Sequence, residues 1–404
     1  MAAMTASEAG TVAVASEQRR NAWLYLTGLG CSMIGSMALS LVAGIWVKSL
    51  TGSSALAGIT SACIYLPSLF GPLAGLVADR VARRRLLVRL SAVSALADLP
   101  LLAVRSAAWT WVIFLVMTWY GTQLLLSGPA EDALFFEMFP QDLRQRVNGW
   151  RLGLQESGRL VAPLVGAGLF ALAGGGPVAL VDAATFIVAA VATARLRVPD
   201  QAPAQAARTT WRAEVLAGYE HIRRTPALAV LLGVGAVVMA LSGVLVAAQY
   251  SLVQGVGEPP AFLGVFEACL GGGSVAASLM SSRILRRVGE GWLAVLGMAD
   301  FAVGSALRAT GVLGWALGGT VVLGFALPWV FLAVVNLAQR VTPAGLQGRV
   351  SAAVTLVMFG PQAPMQALGS LAILYSTYRQ LYAGGAIVAL ACAAYLARRA
   401  GRSP

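Results

Sequence analysis

Long apolar runs alternate with short polar joints along almost the whole chain. A helix needs about 20 apolar residues to cross a bilayer, and twelve runs of roughly this length can be drawn. The joints between them carry turn-forming residues, as in Gly174-Gly175-Gly176-Pro177. We therefore predict an all-α integral membrane protein with twelve transmembrane helices, at 22–47, 53–78, 86–104, 109–138, 150–172, 177–197, 227–250, 260–282, 291–310, 313–338, 350–375 and 378–397.

Composition supports the membrane assignment. Only 11% of the 404 residues are charged and 58% are hydrophobic, whereas soluble domains carry about 25% charged residues. The four cysteines lie within apolar runs and the one histidine is isolated, so no metal-binding spacing is present. The sequence also shows no nucleophile–base pair and no phosphate-binding loop. We therefore expect neither an enzyme nor a bound metal or cofactor.

The net charge of +12 raises the question of nucleic-acid binding, which would require basic clusters on a soluble face. If the N-terminus is cytoplasmic, 24 of the 29 lysines and arginines fall on the cytoplasmic side of the twelve spans. This distribution satisfies the positive-inside rule in every cytoplasmic loop. The charge therefore reports topology. We predict a multi-pass protein of the cell membrane, with both termini cytoplasmic and no nucleic-acid partner.

The two halves of the chain share residues at a constant offset of 203 positions. Five residues in the first half, Pro140, Leu143, Arg146, Val147 and Gly166, align in this way with Pro343, Leu346, Arg349, Val350 and Gly369. Arg80, Arg83 and Arg84 align likewise with Arg283, Arg286 and Arg287. A parallel repeat of this kind is typical of transporters that work by rocking two bundles.

The repeat divides the chain into two six-helix bundles at 22–197 and 227–397, with tails at 1–21 and 398–404. A cytoplasmic linker at 198–226 joins the bundles, and its second part has the pattern of an amphipathic helix. Such a helix suits the membrane interface, although a solvated linker helix fits the pattern equally well.

A segment after the second run carries a recognisable motif. Gly75-Leu76-Val77-Ala78-Asp79-Arg80-Val81-Ala82-Arg83-Arg84-Arg85 resembles the signature loop of the major facilitator superfamily, with Ala82 in place of the usual glycine. The resemblance implies the major facilitator fold and a cytoplasmic gate loop formed by Gly75, Asp79, Arg80, Arg83 and Arg84. Asp79 would pair with basic groups of its own half. Topological anchoring by the arginines is the alternative.

The fifth run carries a second motif, with Gly149, Gly158, Pro163 and Gly166 at its main positions. It is similar to the antiporter motif of proton-coupled drug exporters, although two of the usual glycines are alanines here. Stretches such as Gly128-Pro129-Ala130 also resemble the macrolide-efflux-type branch of drug:proton antiporters. A span built only for close helix approach is the alternative. The fourth run lacks the arginine that many drug exporters carry, which leaves the proton site open.

Ionisable groups inside a membrane span are costly, so each is a functional hypothesis. The candidates for proton coupling are, in this sequence, Glu131, Glu267, Glu156, Asp98 and Asp300. We favour Glu131 and then Glu267. The alternatives are structural ion pairs, of Asp98 with Arg105, of Glu156 with Arg159 and of Asp300 with Arg308. Asp182 lies near the start of its span, and we assign it to the membrane interface.

Polar side chains at helical spacing indicate a cavity. In the family, the first, fourth, seventh and tenth helices line this cavity, and desolvation inside it would let a carboxyl group hold a proton near neutral pH. Glu131 follows such a stripe, although with Asp132 it could simply mark the cytoplasmic mouth. The cavity-lining candidates are Ser36, Trp119, Gln123, Ser127, Gln362 and Gln366.

These features favour a secondary active transporter that exports hydrophobic small molecules in exchange for protons. Its partners would be a small-molecule substrate, protons and the lipid bilayer, and we expect a monomer. An importer or facilitator of a polar nutrient such as a sugar is the first alternative, although it would need more polar groups facing the cavity. A membrane scaffold or receptor without transport is the second.

Overall fold

The computed structural model describes residues 2–70, 81–198, 211–343 and 346–400. Helices make up almost all of this part. Short 3-10 segments extend α2 and α3, to Phe70 and Ala103. The α-helices are α1 (Ala2–Thr51), α2 (Ser54–Tyr65), α3 (Arg83–Asp98), α4 (Thr110–Met138), α5 (Gln141–Ala173), α6 (Gly175–Ala194), α7 (Trp211–Arg224), α8 (Pro226–Gly255), α9 (Leu263–Ala309), α10 (Leu313–Val341), α11 (Gln347–Phe359), α12 (Gln362–Tyr375) and α13 (Tyr378–Ala400).

Nine helical segments of the described chain are long and apolar enough to cross a membrane. Segment 260–309 is 50 residues long and contains two of the predicted spans, because its backbone leaves the helical region at Gly289, with φ +76°. The segment 54–68 is a shorter apolar helix that begins the predicted second span. Together with α11 and α12, these segments are consistent with the twelve predicted spans.

The chain reverses direction at Gly289. In the first part of α9, Gly273 lies against Gly324, and the Trp329 indole donates to the Ala277 carbonyl at 3.1 Å. From the first contact to the second, the residue number rises along both helices, so this part of α9 runs parallel to α10. In the second part, Gly297 lies against Val330 and Gly304 against Gly319, so it runs antiparallel to α10. A positive φ favours glycine at the reversal.

Two of the predicted boundaries need comment. The sequence predicts one helix over 350–375, whereas the structure divides this run into α11 and α12 at Gly360-Pro361. A proline lacks the backbone N–H that an uninterrupted helix would use, so a break at this position is expected. The end of the predicted second span, residues 71–78, lies outside the described residues, as do 199–210 of the linker.

The two halves repeat the same close helix contact. In the first half, a Cβ at Gly166 of α5 would press on Ala38 of α1. In the second half, a Cβ at Gly369 of α12 would overlap the Val244 carbonyl of α8. Glycine permits this close approach of two backbones. The two glycines are 203 positions apart, so the offset found in the sequence corresponds to a repeated helix–helix contact.

Gly369→Ala is therefore expected to destabilise the protein, because the added methyl group has no space against α8. Overpacking of this kind costs about 1–3 kcal/mol. Gly233→Ala on α8 is the matched control, since a Cβ there meets open space and alanine favours a helix over glycine. Thermal unfolding of both variants in detergent checks this. An equal melting temperature for the two would contradict the contact.

The spans have two ends, which we name after one residue at each. At the Arg83 end, Arg84 Nη1 donates to the Leu196 carbonyl at 3.0 Å, and Asn21 Nδ2 donates to the Arg197 carbonyl at 2.9 Å. These bonds tie together α1, α3 and the chain after α6. The Lys48 end contains the C-termini of α1 and α8 and the N-termini of α2 and α9.

The amphipathic helix of the linker is α7, which docks on the second half. Gly218 lies beneath the Arg349 carbonyl of α11, and Ile222 is buried in the core of the second half. Leu216 and Tyr219 remain exposed. One face of α7 is therefore held by protein, and burial of the other in the membrane interface stays a prediction.

Candidate functional site

The two halves meet in a seam at the Lys48 end. Lys48 of α1 is buried, and its ammonium group donates to Gln254 Oε1 of α8 at 2.8 Å. It also donates to Ser54 Oγ at 2.9 Å and to the Gly52 carbonyl at 2.7 Å. Three acceptors match the three N–H donors of an ammonium group. The buried charge is thus fully hydrogen-bonded, and its bond to Gln254 crosses the seam.

Other groups close the seam beside Lys48. Ser251 Oγ of α8 donates to Ser54 Oγ of α2 at 2.7 Å. Tyr250 is buried, and its hydroxyl lies against Gly44 of α1, where a Cβ would overlap it. A Cβ at Gly58 of α2 would likewise overlap Ser370 Oγ of α12. The seam therefore depends on small residues and polar contacts, which can separate more readily than a continuous apolar core.

The antiporter-like motif places α5 between α1 and the second half. Gly158 lies beside Met33 and Met37 of α1, and Gly166 lies against Ala38. A Cβ at Gly264 of α9 would overlap the Pro163 carbonyl. Gly149 has open space around it and is exposed. Three of the four motif positions thus serve close helix contacts, and Gly149 does not.

A charged cluster, the Glu131 cluster, lies toward the Arg83 end of the first half. It consists of Tyr25, Ser127, Glu131, Asp132 and Arg151. Arg151 Nη1 contacts Asp132 Oδ1 at 2.7 Å. Glu131 is half-buried, with the Ser127 hydroxyl beside it and Arg151 within electrostatic range. Arg151 can therefore balance one carboxylate closely but has two beside it.

Tyr25 forms the wall of this cluster on α1. The side chain is buried, and its ring contacts Phe135 at a centroid distance of 5.7 Å. Its hydroxyl has no hydrogen-bond partner among the described residues, and it interacts electrostatically with Arg151, Glu131 and Asp132. A buried hydroxyl normally has a partner, so a substrate or water would find a donor here.

The Glu267 cluster lies in the second half and consists of Gln249, Tyr250, Glu267, Arg308 and Tyr382. Arg308 is buried, and its Nε donates to Thr320 Oγ1 at 3.0 Å. Its guanidinium also lies over the Tyr382 ring at 5.2 Å. Glu267 interacts electrostatically with Arg308 and lies beside Gln249. Tyr250 connects the cluster to the seam, because Glu267 interacts with it as well.

Two further carboxylates are buried in the first half. Asp98 and Asp182 have no exposed surface. Asp98 accepts from the Tyr120 hydroxyl at 3.3 Å, whereas Arg105 is exposed and makes no ion pair with it. The alternative role of Asp98, an ion pair with Arg105, is therefore wrong. The interface position assigned to Asp182 is also wrong, because α1 covers this residue at Gly35.

Some of the cavity-lining candidates make side-chain hydrogen bonds within the protein. The Trp119 indole donates to Ser94 Oγ of α3 at 3.0 Å, so its N–H is bonded within the first bundle. Gln366 is buried, and its Nε2 donates to Gln362 Oε1 at 3.2 Å. Gln123 and Ser36 are half-buried. The two glutamines thus come together near the seam.

The remaining acids differ in their contacts. Arg159 Nη1 lies 3.4 Å from Glu156 Oε1, a pair with substantial exposure. Asp300 is half-buried, with Oδ2 lacking a partner among the described residues. Arg308 donates to Thr320 and makes no ion pair with Asp300. The alternative role of Asp300, an ion pair with Arg308, is therefore wrong.

The gate loop is described only in part. Gly75, Asp79 and Arg80 lie outside the described residues. Arg83 forms an ion pair with Glu137 at the end of α4, and Arg84 binds the chain after α6. In the second half, Arg340 Nε lies 3.1 Å from Glu290 Oε1. Glu137 and Arg340 are 203 positions apart, so the second half has an ion pair at the same end with the charges reversed.

Exchanging the charges of the first pair should therefore be tolerated. Arg83→Glu alone or Glu137→Arg alone is expected to lower stability by up to about 1 kcal/mol, since partly exposed pairs contribute little. The double variant should recover most of that loss, as a double-mutant cycle would show. Thermal unfolding of the four proteins is the measurement. Additive losses would indicate that the pair contributes no interaction.

The sequence did not identify several residues that organise these sites. Lys48, Tyr250 and Arg151 gave no local signal of their roles, because each has a partner on another helix that spacing within its own helix does not indicate. Asp182 carried a signal, since a carboxylate in an apolar run is costly. Asp182 lies close to the predicted start of its span, and this position favoured the membrane interface over a buried site.

Comparisons with known proteins agree with this fold. A family model described as the Major Facilitator Superfamily matches residues 25–365. Macrolide efflux protein A of Streptococcus pyogenes is 24% identical over 216 residues, 52% of this chain and 53% of that protein. The chain thus spans about half the length of the curated relatives it matches.

Solved structures resemble the whole chain. Nucleoside transporter NupG has a TM-score of 0.73 and 12% identity, covering 96% of this chain and 100% of that one. A bacterial homologue of the iron transporter ferroportin, in an inward-facing state, has a TM-score of 0.69 and 17% identity, covering 93% and 98%. These identities show a shared fold. The helical architecture, the repeat and the family match show that this chain belongs to the major facilitator superfamily and is a membrane transporter, not an enzyme.

Proposed function

We propose that the protein exports hydrophobic small molecules in exchange for protons, and that Glu131 carries the coupled proton. The observation that carries this proposal is the Glu131 cluster. Arg151 is already bound to Asp132 at 2.7 Å, so an ionised Glu131 competes for the same cation. Protonation of Glu131 removes this competition. A proton would therefore change the electrostatic balance between α1, α4 and α5.

The orientation follows from the arginines. We assign the Arg83 end to the cytoplasm of the cell, because it corresponds to the side on which the predicted topology places 24 of the 29 basic residues. Both termini would then be cytoplasmic and the protein would lie in the cell membrane. The seam at the Lys48 end would close the outer side. Export requires this seam to open while the cytoplasmic side closes, which is alternating access.

The coupling logic joins the two ends. A substrate and a proton that favour different facing states are exchanged only if each shifts the equilibrium between the states. Glu131 lies toward the cytoplasmic end and Tyr25 of α1 lies beside it, while Lys48 of the same helix holds the outer seam. Helix α1 thus offers a direct physical connection between the proton site and the outer gate.

The substrate class rests on two observations. Only 11% of the residues are charged and 58% are hydrophobic, which suits an apolar molecule better than a charged one. The similarity to Macrolide efflux protein A, at 24% identity, points in the same direction. Binding through shape and scattered apolar contacts is typical of such sites.

Transport of a polar solute is the second candidate. Gln362 and Gln366 lie together near the seam, and Gln366 Oε1 is buried without a partner among the described residues. An amide in this state can bind a hydroxyl or amino group. The likeness to nucleoside transporter NupG is a likeness of fold and adds no substrate.

A toxicity panel in a host that lacks its own drug pumps separates the candidates. The proposal predicts resistance to one or more hydrophobic compounds, and this resistance should disappear when an uncoupler removes the proton gradient. Uptake of nucleosides or sugars measured in the same cells tests the second candidate. Unchanged sensitivity across a broad panel, together with uptake of a polar solute, would contradict drug export.

A further inference from the structure

The Asp98–Asp182 pair is separate from the sites used above. Asp98 is the last residue of α3, at the Lys48 end, whereas Glu131 lies near the other end of α4. Neither aspartate has exposed surface, and the two carboxylates are close enough to interact electrostatically. The pair therefore lies inside the first half.

The hydrogen-bond donors around the pair are too few for two carboxylates. The Tyr120 hydroxyl lies 3.3 Å from Asp98 Oδ1 and 3.5 Å from Oδ2, and it has one proton to donate. Thr185 Oγ1 lies 3.1 Å from Asp182 Oδ1 but 2.7 Å from the Asp182 carbonyl. Asp182 Oδ2 is buried and has no partner among the described residues.

No cation compensates the pair within the part of the chain that the structure describes. The groups facing it are Tyr120 of α4, Thr185 of α6 and the backbone of α1 at Gly35. Arg105 is exposed and makes no ion pair with either aspartate. A buried charge without a partner costs several kcal/mol, and two adjacent like charges cost more.

We propose that Asp98 and Asp182 form a proton-binding site, in which at least one of the two buried carboxyl groups is neutral. This arrangement leaves at most one charge on the two buried aspartates. Close carboxylate pairs elsewhere share a proton for the same reason. The site binds a proton independently of Glu131.

Helix α1 connects this site to the transport cycle. A Cβ at Gly35 would overlap Asp182 Oδ1 and Thr185 Oγ1, so α1 crosses directly over Asp182. The same helix carries Tyr25 of the Glu131 cluster and Lys48 of the seam. Loss of the bound proton would leave two buried charges, of which the one on Asp182 lies against α1. The proton occupancy of the pair therefore biases the position of this helix.

Infrared spectroscopy of the purified protein tests the proposal without any transport. A neutral carboxyl group gives a C=O stretch that shifts in D₂O. We expect the wild type to show this band and the double variant Asp98→Asn/Asp182→Asn to lack part of it. Asp300→Asn is the control for removal of an embedded acid elsewhere. A double variant that folds and retains the full band would overturn the proposal.

Labelling of the wild type keeps the test decisive if the double variant does not fold. A hydrophobic carbodiimide reacts with protonated carboxyl groups, so peptide mapping should find the label at Asp98 or Asp182. Asp132, bound to Arg151, should be labelled at least about tenfold less, which corresponds to about 1.4 kcal/mol. No label at either aspartate, or labelling suppressed by Na⁺ but not by choline at equal ionic strength, would contradict a proton site. Neither measurement depends on drug export.

Discussion

Glu131→Gln is expected to abolish proton-driven export of a transported drug while leaving the protein folded in the membrane. Glutamine keeps the size of the side chain and can hydrogen-bond Ser127, but it cannot release a proton. Arg151 then stays with Asp132 throughout the cycle, and the competition that we assign to coupling is lost. We expect resistance to fall by more than about tenfold, a change of at least about 1.4 kcal/mol.

Glu156→Gln is the matched control for this substitution. Glu156 is also an acid within a span, but its pair with Arg159 is long and substantially exposed, so resistance should change little. Expression and thermal stability of both variants are measured alongside, to separate coupling from folding. A Glu131→Gln protein that still confers resistance sensitive to an uncoupler would show that the coupled proton lies elsewhere, with Glu267 next to be tested.

Lys48→Met is expected to open the seam at the Lys48 end. Methionine approximates the length of the side chain but cannot donate to Gln254, Ser54 or the Gly52 carbonyl. A hydrogen bond from a charged group contributes about 1.5–3 kcal/mol. Loss of the bond to Gln254, which joins the halves, should shift the equilibrium about ten- to hundredfold toward the state open at this end.

Thiol labelling in whole cells measures the opening. The reporter is Ala57→Cys, introduced after the four native cysteines are replaced, because Ala57 is buried against the second half. A membrane-impermeant thiol reagent should label this cysteine slowly in the protein that keeps Lys48 and faster in the protein with Lys48→Met. Arg105→Met, at an exposed basic residue of the same end, should leave the rate unchanged. Equal labelling in all three proteins would mean that Lys48 does not hold the seam.

The architecture could be predicted from the sequence, because each membrane helix can be recognised from its own residues. Apolar length and the bias of the arginines depend on each segment alone, and the offset of 203 revealed the repeat before any contact was known. Gly166 and Gly369 show why the offset matters, since both permit a backbone approach to the first helix of their half. The break at Gly360-Pro361 also has a local cause, because a proline cannot donate a backbone hydrogen bond within a helix.

Side-chain partners were harder to predict, because they depend on how helices pack in three dimensions. Glu131 and Ser127 share a helical face, so their contact followed from spacing. Lys48 with Gln254, and Asp98 with Asp182, join helices that are far apart in sequence. No periodicity within one helix indicates such pairs. Trp119 followed the same polar stripe as Glu131, yet its indole turns to Ser94 because α3 offers an acceptor.

The most direct test of proton exchange through Glu131 uses purified protein in liposomes that contain a pH-sensitive dye. A gradient of a transported hydrophobic compound is imposed, with no initial proton gradient. The account predicts proton movement opposite to the compound in the wild type and none in Glu131→Gln. Movement of the compound without protons in the wild type, or equal proton movement in both proteins, would contradict it.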